Sequence, residues 1–571
     1  MSDLIEPMAT KNLNPITGIT LEGFQVFDKP TYIPLDRLTL LFGPNSAGKS
    51  AVQDAIELYE ILSKSEAQKL DYFSILLGVP GAPEILERHW RRRGEERNQW
   101  VDRLSISVKH TTDCTVDEVI ADQLGRELLD DSARMCRDSL ELESRWSFLR
   151  TEDEDEDGKD SLSCRWDFEF FIESELLVSY IELNFVVNLD HPVLKNITKA
   201  VDFFAVAEAH PESVSISGGL VNFHACVSGF QPSAIGFRPA GDRWLSEVAT
   251  AAGRDVGAAV TRESPLLHAA IAELSLLVGT ALTVSQGNSN FSPTKVDASR
   301  MVPTREELTF QIGNLDDAMQ TPQALGNNSY RSLAVSLASE LTNSQEIPET
   351  VQKVSGLPTP ATRRKYADAV NRALSDHLFI EHGYRLDYDF RLLMSKANSQ
   401  AAIDGYELDT SEFGFLVELF LRDGQGRKHL FEDVGSGLGY LLPVLCAVFE
   451  RSGWCSTCFI QQPELHIHPA LQAAMGDVFI EGSEEDRQVL IETHSEYLLL
   501  RILKRIRQTH LQASIAPELK INADDVCVLY FNPSPDGTTT VKRLRITEDG
   551  EFMDRWPRGF FAERDQELLD E

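Results

Sequence analysis

Eight consecutive residues, GPNSAGKS from Gly43 to Ser50, match the pattern G-x-x-x-x-G-K-[ST] at every fixed position. Glycines let such a loop curl so that its backbone N–H groups point inward at phosphate oxygens. Lys49 can reach the β- and γ-phosphates of a nucleotide, and the Ser50 hydroxyl can ligate Mg²⁺. The pattern therefore predicts a nucleotide-binding loop. Its predicted contacts are Gly43, Pro44, Asn45, Ser46, Ala47, Gly48, Lys49 and Ser50.

The segments on either side of this loop are of the kinds that a phosphate site needs. The β-rich run YIPLDRLTLLF ends at Phe42, directly before the loop. After the loop, apolar residues recur at the spacing of one helix face. These residues are Val52, Ala55, Ile56, Tyr59 and Leu62. A strand, a glycine loop and a helix in this order place the loop at a helix N-terminus, whose partial positive charge favours phosphate.

Three further motifs lie in the second half of the chain, each beside a predicted element. The tripeptide Gly435-Ser436-Gly437 precedes a helix and offers a second helix N-terminus. The apolar run CSTCFI leads into QQPELHIHP (461–469), and QVLIE leads into Thr493-His494. Alternating strands and helices predict a mainly parallel sheet with helices on its faces. The predicted elements are a helix at 439–449, a strand at 455–460, a helix at 470–480, a strand at 488–493 and a helix at 496–507.

In this order the motifs resemble the ATP-binding-cassette branch of the P-loop ATPases. They resemble more closely its RecF/SMC/OLD relatives, in which sequences like PELHIHP and THS are habitual. The tail from Asp554 to Phe561, with WPRGFF, looks like that of a subgroup of bacterial AAA and OLD-like ATPases. Several members of that subgroup serve in anti-phage defence, as the ATPase of Septu-type (PtuA-like) and similar systems. The resemblance covers residues 16–62 and 379–565.

The resemblance implies a role for each motif. Ser436 and Gly437 would form the signature loop, which acts across a dimer on the partner's ATP. Gln461 to Glu464 would be the Walker B segment, and His466 to Pro469 the D-loop region. His494 would be the switch histidine near the γ-phosphate. The implied cofactors are ATP and Mg²⁺, the implied metal ligands are Ser50 and Gln461, and the implied catalytic residues are Gln461, Gln462, Glu464 and His494.

The Walker B segment departs from the family pattern. That segment normally ends in Asp-Glu, where one carboxylate holds Mg²⁺ and the other orients the attacking water. Gln461 and Gln462 occupy these positions, and an amide hydrogen-bonds but accepts no proton at neutral pH. Two explanations stay open: a Glu-to-Gln substitution that traps the nucleotide, or another carboxylate, for which Glu464 and Glu492 are the nearest candidates. Slow hydrolysis is expected.

The sequence predicts an α/β fold. Its core would be an ABC-type ATPase head with a mainly parallel sheet, flanking helices and an antiparallel N-terminal β part, split by a mixed α+β insertion. The predicted domains are 16–70 for the N-terminal part of the head, 71–378 for the insertion and 379–565 for the C-terminal part. A stretch of the insertion around 163–245 is assigned to the head as well.

Within the insertion, the patterns predict strands at 104–108, 166–172 and 179–187. The acidic run at 152–157 predicts a solvated loop, because six adjacent carboxylates cannot pack. Arg238, in the segment IGFRP, either faces the nucleotide or lies on the surface.

Composition bounds the class of protein and its partners. With 42% hydrophobic and 25% charged residues, the chain can bury a core, and wholesale disorder is excluded. A net charge of −35 repels nucleic acid and anionic lipid, so DNA contact would need a local basic patch. The arginines at 91–97 are the candidate for such a patch, and an exposed helix face is the alternative.

The longest apolar run, 438–449, is shorter than the ~20 residues that span a bilayer. No secretory signal is visible, and we expect a cytoplasmic protein.

These features favour a regulatory ATPase that dimerises head to head, or forms a higher homo-oligomer, and controls a separately encoded nuclease or toxin in bacterial anti-phage defence. One alternative is a nucleotide-gated scaffold or sensor with little hydrolysis, because both Walker B carboxylates are missing. A second is an SMC/RecF-like DNA-maintenance ATPase. The charge of −35 and the lack of a sustained heptad repeat disfavour that second alternative.

Overall fold

The structure is a computed structural model that describes most of the two ends of the chain and shorter stretches of its middle. The described residues are 16–64, 92–93, 99–100, 103–112, 140–154, 160–172, 175–181, 184–188, 190, 204, 207–208, 214–223, 294–305, 307–312, 367–393, 414–449, 457–483 and 487–556. Two units are distinguished by their internal contacts. The first comprises 1–36, 43–293 and 529–543, and the second comprises 37–42, 294–528 and 544–571.

The elements below are numbered along the chain. The strands are β1 (Ile16–Glu22), β2 (Thr31–Pro34), β3 (Leu38–Phe42), β4 (Arg92–Arg93), β5 (Gln99–Trp100), β6 (Arg103–Thr112), β7 (Leu140–Glu154), β8 (Asp160–Ile172), β9 (Glu175–Ile181), β10 (Asn184–Asn188), β11 (Val214–Ser217), β12 (Leu220–Phe223), β13 (Thr294–Val296), β14 (Thr309–Ile312), β15 (Arg385–Leu393), β16 (Gly414–Arg422), β17 (Lys428–His429), β18 (Thr457–Gln461), β19 (Gln488–Glu492), β20 (Val526–Pro533) and β21 (Thr539–Leu544). The helices are α1 (Lys49–Lys64), α2 (Ser436–Phe449), α3 (Pro469–Gly482) and α4 (Glu496–His510), with a π-helix at Ala373–Leu378.

The first unit contains a nine-stranded sheet with the order β11-β12-β10-β9-β8-β7-β6-β1-β2. Its pairs are antiparallel, and β7 with β8 form the longest of them. Helix α1 packs near this sheet through buried side chains: the Tyr59 hydroxyl lies 2.5 Å from Ser144 Oγ, and both residues are buried. The helix that follows the glycine loop is therefore anchored in the antiparallel sheet of its own unit.

The second unit contains the parallel strands, in the order β13-β18-β19-β3. Most of β20 and β21 belongs to the first unit, and these two strands are hydrogen-bonded neighbours. Strands β3 and β19 are buried along their whole length, which is typical of parallel strands covered on both faces. Helices α2, α3 and α4 follow in chain order, and a smaller antiparallel sheet is formed by β14, β16, β15 and β17.

The predicted α/β class is confirmed, with a parallel sheet, flanking helices and an antiparallel N-terminal sheet. The helices and strands predicted between 439 and 507 all form, within a few residues of the predicted bounds. The domain boundaries stay a prediction. Among the described residues, no helix is both long enough and apolar enough to cross a bilayer.

Three local predictions were wrong. The run 179–187 is not one strand: β9 ends at Ile181 and pairs with β10 from Asn184 onward. The acidic run at 152–157 is not wholly a loop, because β7 continues to Glu154, which pairs with Asp160. The helix-face alternative for the basic cluster is wrong at Arg92 and Arg93, which form β4 and pair antiparallel with β5; Arg91 and Arg97 lie outside the described residues. Strand pairing uses backbone groups alone, so neither acidic nor basic side chains prevent it.

One buried carboxylate joins α3 to α4. Asp477, with a side chain only 5% exposed, accepts hydrogen bonds from Arg501 and from Arg505. Burial opposes the charged form, but the hydrogen bonds and charges of Arg505 and Arg501 outweigh burial and hold the pKa of Asp477 below its usual value.

We expect Asp477→Asn to lower the free energy of unfolding by about 2–3 kcal/mol at neutral pH, because two arginines lose their anion. A carboxylate with a depressed pKa stabilises the fold above its unfolded pKa and stops doing so as pH falls through its folded pKa. Urea unfolding between about pH 6 and pH 3 should therefore show a shallower loss of stability in the variant than in the wild type. Parallel curves for the two proteins would contradict this account of Asp477.

Candidate functional site

The glycine loop closes around its own lysine. Lys49 is 3% exposed, and its Nζ donates hydrogen bonds to the carbonyl oxygens of Gly43 and Pro44, each at 3.0 Å. The loop residues Gly43, Ser46 and Gly48 have positive φ angles of 145°, 61° and 88°. The backbone thus curls as the motif predicts, and the amine lies inside the curl at the start of α1.

Close contacts explain why both glycines are required. A Cβ at Gly43 would lie 2.6 Å from the Phe531 carbonyl oxygen. A Cβ at Gly48 would lie 2.2 Å from Val26 Cγ2. Since both residues also have φ angles that side chains rarely adopt, no other residue type fits either position without moving its neighbours.

The motifs of the second half meet at one edge of the parallel sheet. Gln461, the last residue of β18, is the register partner of Glu492, the last residue of β19. Glu492 in turn pairs with Leu41, next to the end of β3. Because these strands are parallel, their carboxyl ends share one edge, where ligands of α/β sheets generally bind. The chain passes from β3 directly into the glycine loop at Gly43.

The two glutamines of the predicted Walker B segment are held differently. The Gln461 side chain accepts a hydrogen bond from the Ala298 N–H through Oε1 at 3.3 Å. Gln462 has a φ of +42°, and its backbone N–H donates to the Glu492 carbonyl at 2.7 Å. The chain therefore turns sharply after Gln461, and the turn is fixed by backbone bonds.

Both carboxylate oxygens of Glu464 accept hydrogen bonds from Thr493-His494, which we call the switch segment. Oε1 accepts from the His494 N–H at 2.7 Å, and Oε2 accepts from Thr493 Oγ1 at 2.8 Å. Burial raises the pKa of Glu464 above its ordinary value, although these bonds and the charge of Arg300 act in the opposite direction. A half-buried carboxylate with two such bonds orients the backbone at His494.

A chain of hydrogen bonds extends this contact into α3 and α4. The Thr493 hydroxyl accepts from the Ser495 N–H, and Ser495 Oγ donates to Gln472 Oε1 at 2.8 Å. Gln472 Nε2 donates back to the Ile467 carbonyl at 3.2 Å and to that of Glu464 at 3.4 Å. The predicted Walker B, D-loop and switch segments are thus linked in a closed ring.

The two histidines of the predicted D-loop region have structural contacts. His466, with a φ of +64°, stacks on the Tyr440 ring at 4.5 Å between centroids. His468 caps α3, because its Nδ1 accepts from the Ala470 N–H. Within the part of the chain that the structure describes, no three His, Cys, Asp or Glu side chains cluster as metal ligands. Both imidazole rings therefore take part in local packing and helix capping.

The predicted signature loop lies where a helix begins. Helix α2 starts at Ser436, and Gly437 packs so closely that a Cβ there would lie 3.2 Å from the His466 carbonyl. The first turns of α2 therefore contact the predicted D-loop region at His466, through Gly437 and through the Tyr440 ring.

Sequence reasoning missed Arg300. Its guanidinium donates to the carbonyl oxygens of Tyr440, Gln461, Gln462 and Pro463 at 3.0–3.1 Å. No motif marks this residue, because it lies after the three-residue strand β13 and recognises backbone rather than side chains.

The predicted site residues therefore form two described groups. Gln461, Gln462, Glu464 and the His494 backbone are brought together in the second unit, while the glycine loop forms a closed curl in the first. Arg238 and the residues after Trp556 lie outside the described part of the chain. Trp556 itself packs edge-on against Phe42, the last residue of β3, at 5.8 Å between ring centroids.

Two family models match parts of the sequence. Residues 340–501 match an AAA domain described as a putative AbiEii toxin of a type IV toxin–antitoxin system. Residues 521–570 match a family described as a protein of unknown function, DUF3696. No curated protein sequence matches this chain.

Several solved structures are similar to the chain at low identity. They include an SMC head bound to the C-terminal winged-helix domain of ScpA, with 10% identity, a TM-score of 0.34, and coverage of 93% of this chain and 98% of that one. The SMC head of Thermotoga maritima has 9% identity and a TM-score of 0.32 over 93% and 99% of the two chains. The SMC head of Pyrococcus furiosus, bound to the ScpA C-terminal domain, has 11% identity and a TM-score of 0.32 over 98% and 99%. At these scores the similarity carries no functional information.

The chain thus combines a P-loop sequence motif, a parallel sheet with helices and, over residues 340–501, similarity to an AAA domain.

Proposed function

We propose that this protein binds ATP and hydrolyses it slowly, as a regulatory ATPase that closes as a head-to-head dimer. The observation that carries the proposal is the glycine loop, whose curl encloses Lys49 Nζ directly after the β3 strand. A buried amine in a glycine-rich loop at a helix N-terminus is suited to binding a phosphate chain.

The oxygen donors present fit Mg²⁺, which prefers hard oxygen ligands and keeps several waters. Ser50, in the first turn of α1, would contribute its hydroxyl, and Gln461 its amide oxygen. When bound, Mg²⁺ would neutralise charge on the β- and γ-phosphates. Because the Gln461 amide is neutral, these protein donors offer the ion less charge than an aspartate would.

The roles of the remaining residues follow from their contacts. Gln462 would orient the attacking water by hydrogen bonding, since an amide cannot take its proton. Glu464 remains a candidate for the missing carboxylate, but its contacts favour a positioning role, because both oxygens already bind the switch segment. His494, whose backbone Glu464 fixes, would then face the γ-phosphate. Hydrolysis would be slow, because Gln461 supplies no negative charge to Mg²⁺ and Gln462 supplies no base for the attacking water.

The dimer and the biological setting rest on the motifs and the family match. Ser436 and Gly437, at the start of α2, would bind the nucleotide of the partner subunit, since a helix N-terminus favours an anion. The description of the AAA family as a putative toxin–antitoxin component supports a role in bacterial anti-phage defence. There the ATPase would control a separately encoded nuclease or toxin, in the cytoplasm. Septu-type systems are the specific case that the tail sequence suggests.

A second candidate function is a nucleotide-gated scaffold that binds ATP and scarcely hydrolyses it. The observation in its favour is the glutamine pair, because Gln461 and Gln462 together supply no negative charge and no base. The two candidates agree on ATP binding and on ATP-dependent closure, and they differ in turnover alone.

Three measurements on the wild-type protein test the proposal. Calorimetry should show ATP binding, light scattering should show a larger assembly with ATP than without it, and phosphate release should be slow but above the uncatalysed rate. ATP binding with closure but no release would favour the scaffold. No ATP binding at all would exclude both candidates.

A further inference from the structure

Arg300 connects two elements that the proposed function uses separately. One N–H, at Nε, bonds to the Tyr440 carbonyl in the second turn of α2. The Nη1 and Nη2 groups bond to three successive carbonyls of the predicted Walker B segment, at Gln461, Gln462 and Pro463. A single planar group thus bridges the predicted signature helix and the predicted catalytic segment.

The chain around Arg300 strengthens this bridge on both sides. Toward the Walker B segment, the Ala298 N–H donates to Gln461 Oε1. Toward α2, Val302 packs on Gly439 so closely that a Cβ at Gly439 would lie 2.4 Å from Val302 Cγ1. Residues 298–302, which we call the bridging segment, therefore contact the Gln461 side chain and α2 within five residues.

Only arginine has the donor geometry that this bridge needs. Guanidinium carries five N–H donors in a rigid fork, whereas a lysine amine presents three donors at one point. A lysine could reach one or two of the four carbonyls and could not hold both elements at once. Displacement of α2 would then no longer move the turn at Gln461 and Gln462.

We infer that Arg300 is a positioning residue that couples the signature helix α2 to Gln461 and Gln462 of the same subunit, so that closure of the dimer controls hydrolysis. The inference rests on the proposed function. When the signature loop binds the nucleotide of the partner subunit, α2 is held in place, and Arg300 holds the Walker B segment of its own subunit with it. Each site would thereby respond to the occupancy of the other.

The test compares Arg300→Lys with the wild type and with Arg305→Lys as a matched control. Arg305 lies five residues away and pairs with Glu418, which belongs to β16 and not to the site. Arg300→Lys should bind ATP with an affinity within about twofold of the wild type and should still form the ATP-dependent dimer, while kcat falls about tenfold or more. Arg305→Lys should retain all three properties.

The outcomes separate the inference from the function on which it rests. If Arg300→Lys hydrolyses ATP at the wild-type rate, the inference is wrong. If it loses ATP binding, dimer formation and thermal stability together, Arg300 is merely structural and the inference is also wrong. A wild type that neither binds ATP nor dimerises would instead overturn the proposed function. Arg300→Gln is a second variant. It should likewise form the ATP-dependent dimer while its kcat falls.

Discussion

Replacing Lys49 with Ala should weaken ATP binding by about a hundredfold or more, because the buried charge that faces the phosphates is removed. The amine is 3% exposed and is held by two carbonyls of its own loop, so its position is set before the nucleotide arrives. Removing a preorganised cation loses its attraction to the phosphates and leaves the Gly43 and Pro44 carbonyls without this donor. Titration calorimetry with ATP measures the effect.

Lys504→Ala is the matched control for this experiment. Lys504 is an exposed lysine on α4, so its removal changes the net charge equally without touching the loop. It should bind ATP as the wild type does, and both variants should keep the circular dichroism spectrum of the folded protein. Equal ATP affinity in Lys49→Ala and the wild type would disprove the assignment of the loop.

Turnover should rise about tenfold or more in Gln461→Glu, and less in Gln462→Glu, because the first change restores negative charge at the metal position. The Gln461→Glu change should leave the hydrogen bond at this position intact. Oε1 of Gln461 acts as an acceptor from the Ala298 N–H, and a carboxylate oxygen can keep that bond. Steady-state phosphate release from the two variants measures the effect.

A double variant decides what Glu464 contributes. Glu464→Gln should lower the remaining activity, since an NH₂ group would replace one of the two oxygens that accept from Thr493 Oγ1 and from the His494 N–H. If Glu464 replaces the missing carboxylate, adding Gln461→Glu should restore turnover. If Glu464 positions the switch segment, as its contacts favour, the double variant should stay slow. An unmodified chain with fast turnover, insensitive to Glu464→Gln and to Glu492→Gln, would show that the catalytic carboxylate lies elsewhere.

The local elements around the site could be predicted from sequence because their signals are local. The glycine loop needs positive φ angles at Gly43 and Gly48, and the residue types record that need directly. The helical spacing after Ser50 likewise predicts α1, which extends from Lys49 to Lys64. The alternation of strands and helices likewise predicts a parallel sheet, which β18, β19 and β3 form.

Long-range pairing and backbone recognition could not be predicted. The nine-stranded sheet joins segments far apart in sequence, and hydrophobic periodicity says nothing about which strands are neighbours. The two residues between β9 and β10, Glu182 and Leu183, are neither glycine nor proline, so the sequence of 179–187 resembles one strand. Arg300 binds carbonyl oxygens that every residue possesses, and no pattern of side chains could reveal that role.

Mixing two inactive variants tests the central claim, an ATPase that works as a head-to-head dimer, most directly. Lys49→Ala lacks the phosphate-binding amine, and Ser436→Arg blocks the predicted signature loop. A mixed dimer of the two contains one composite site with both parts intact. An equal mixture should therefore form an ATP-dependent dimer that neither variant forms alone, which light scattering measures. A mixture that assembles no further with ATP than its two parents do separately would contradict the claim.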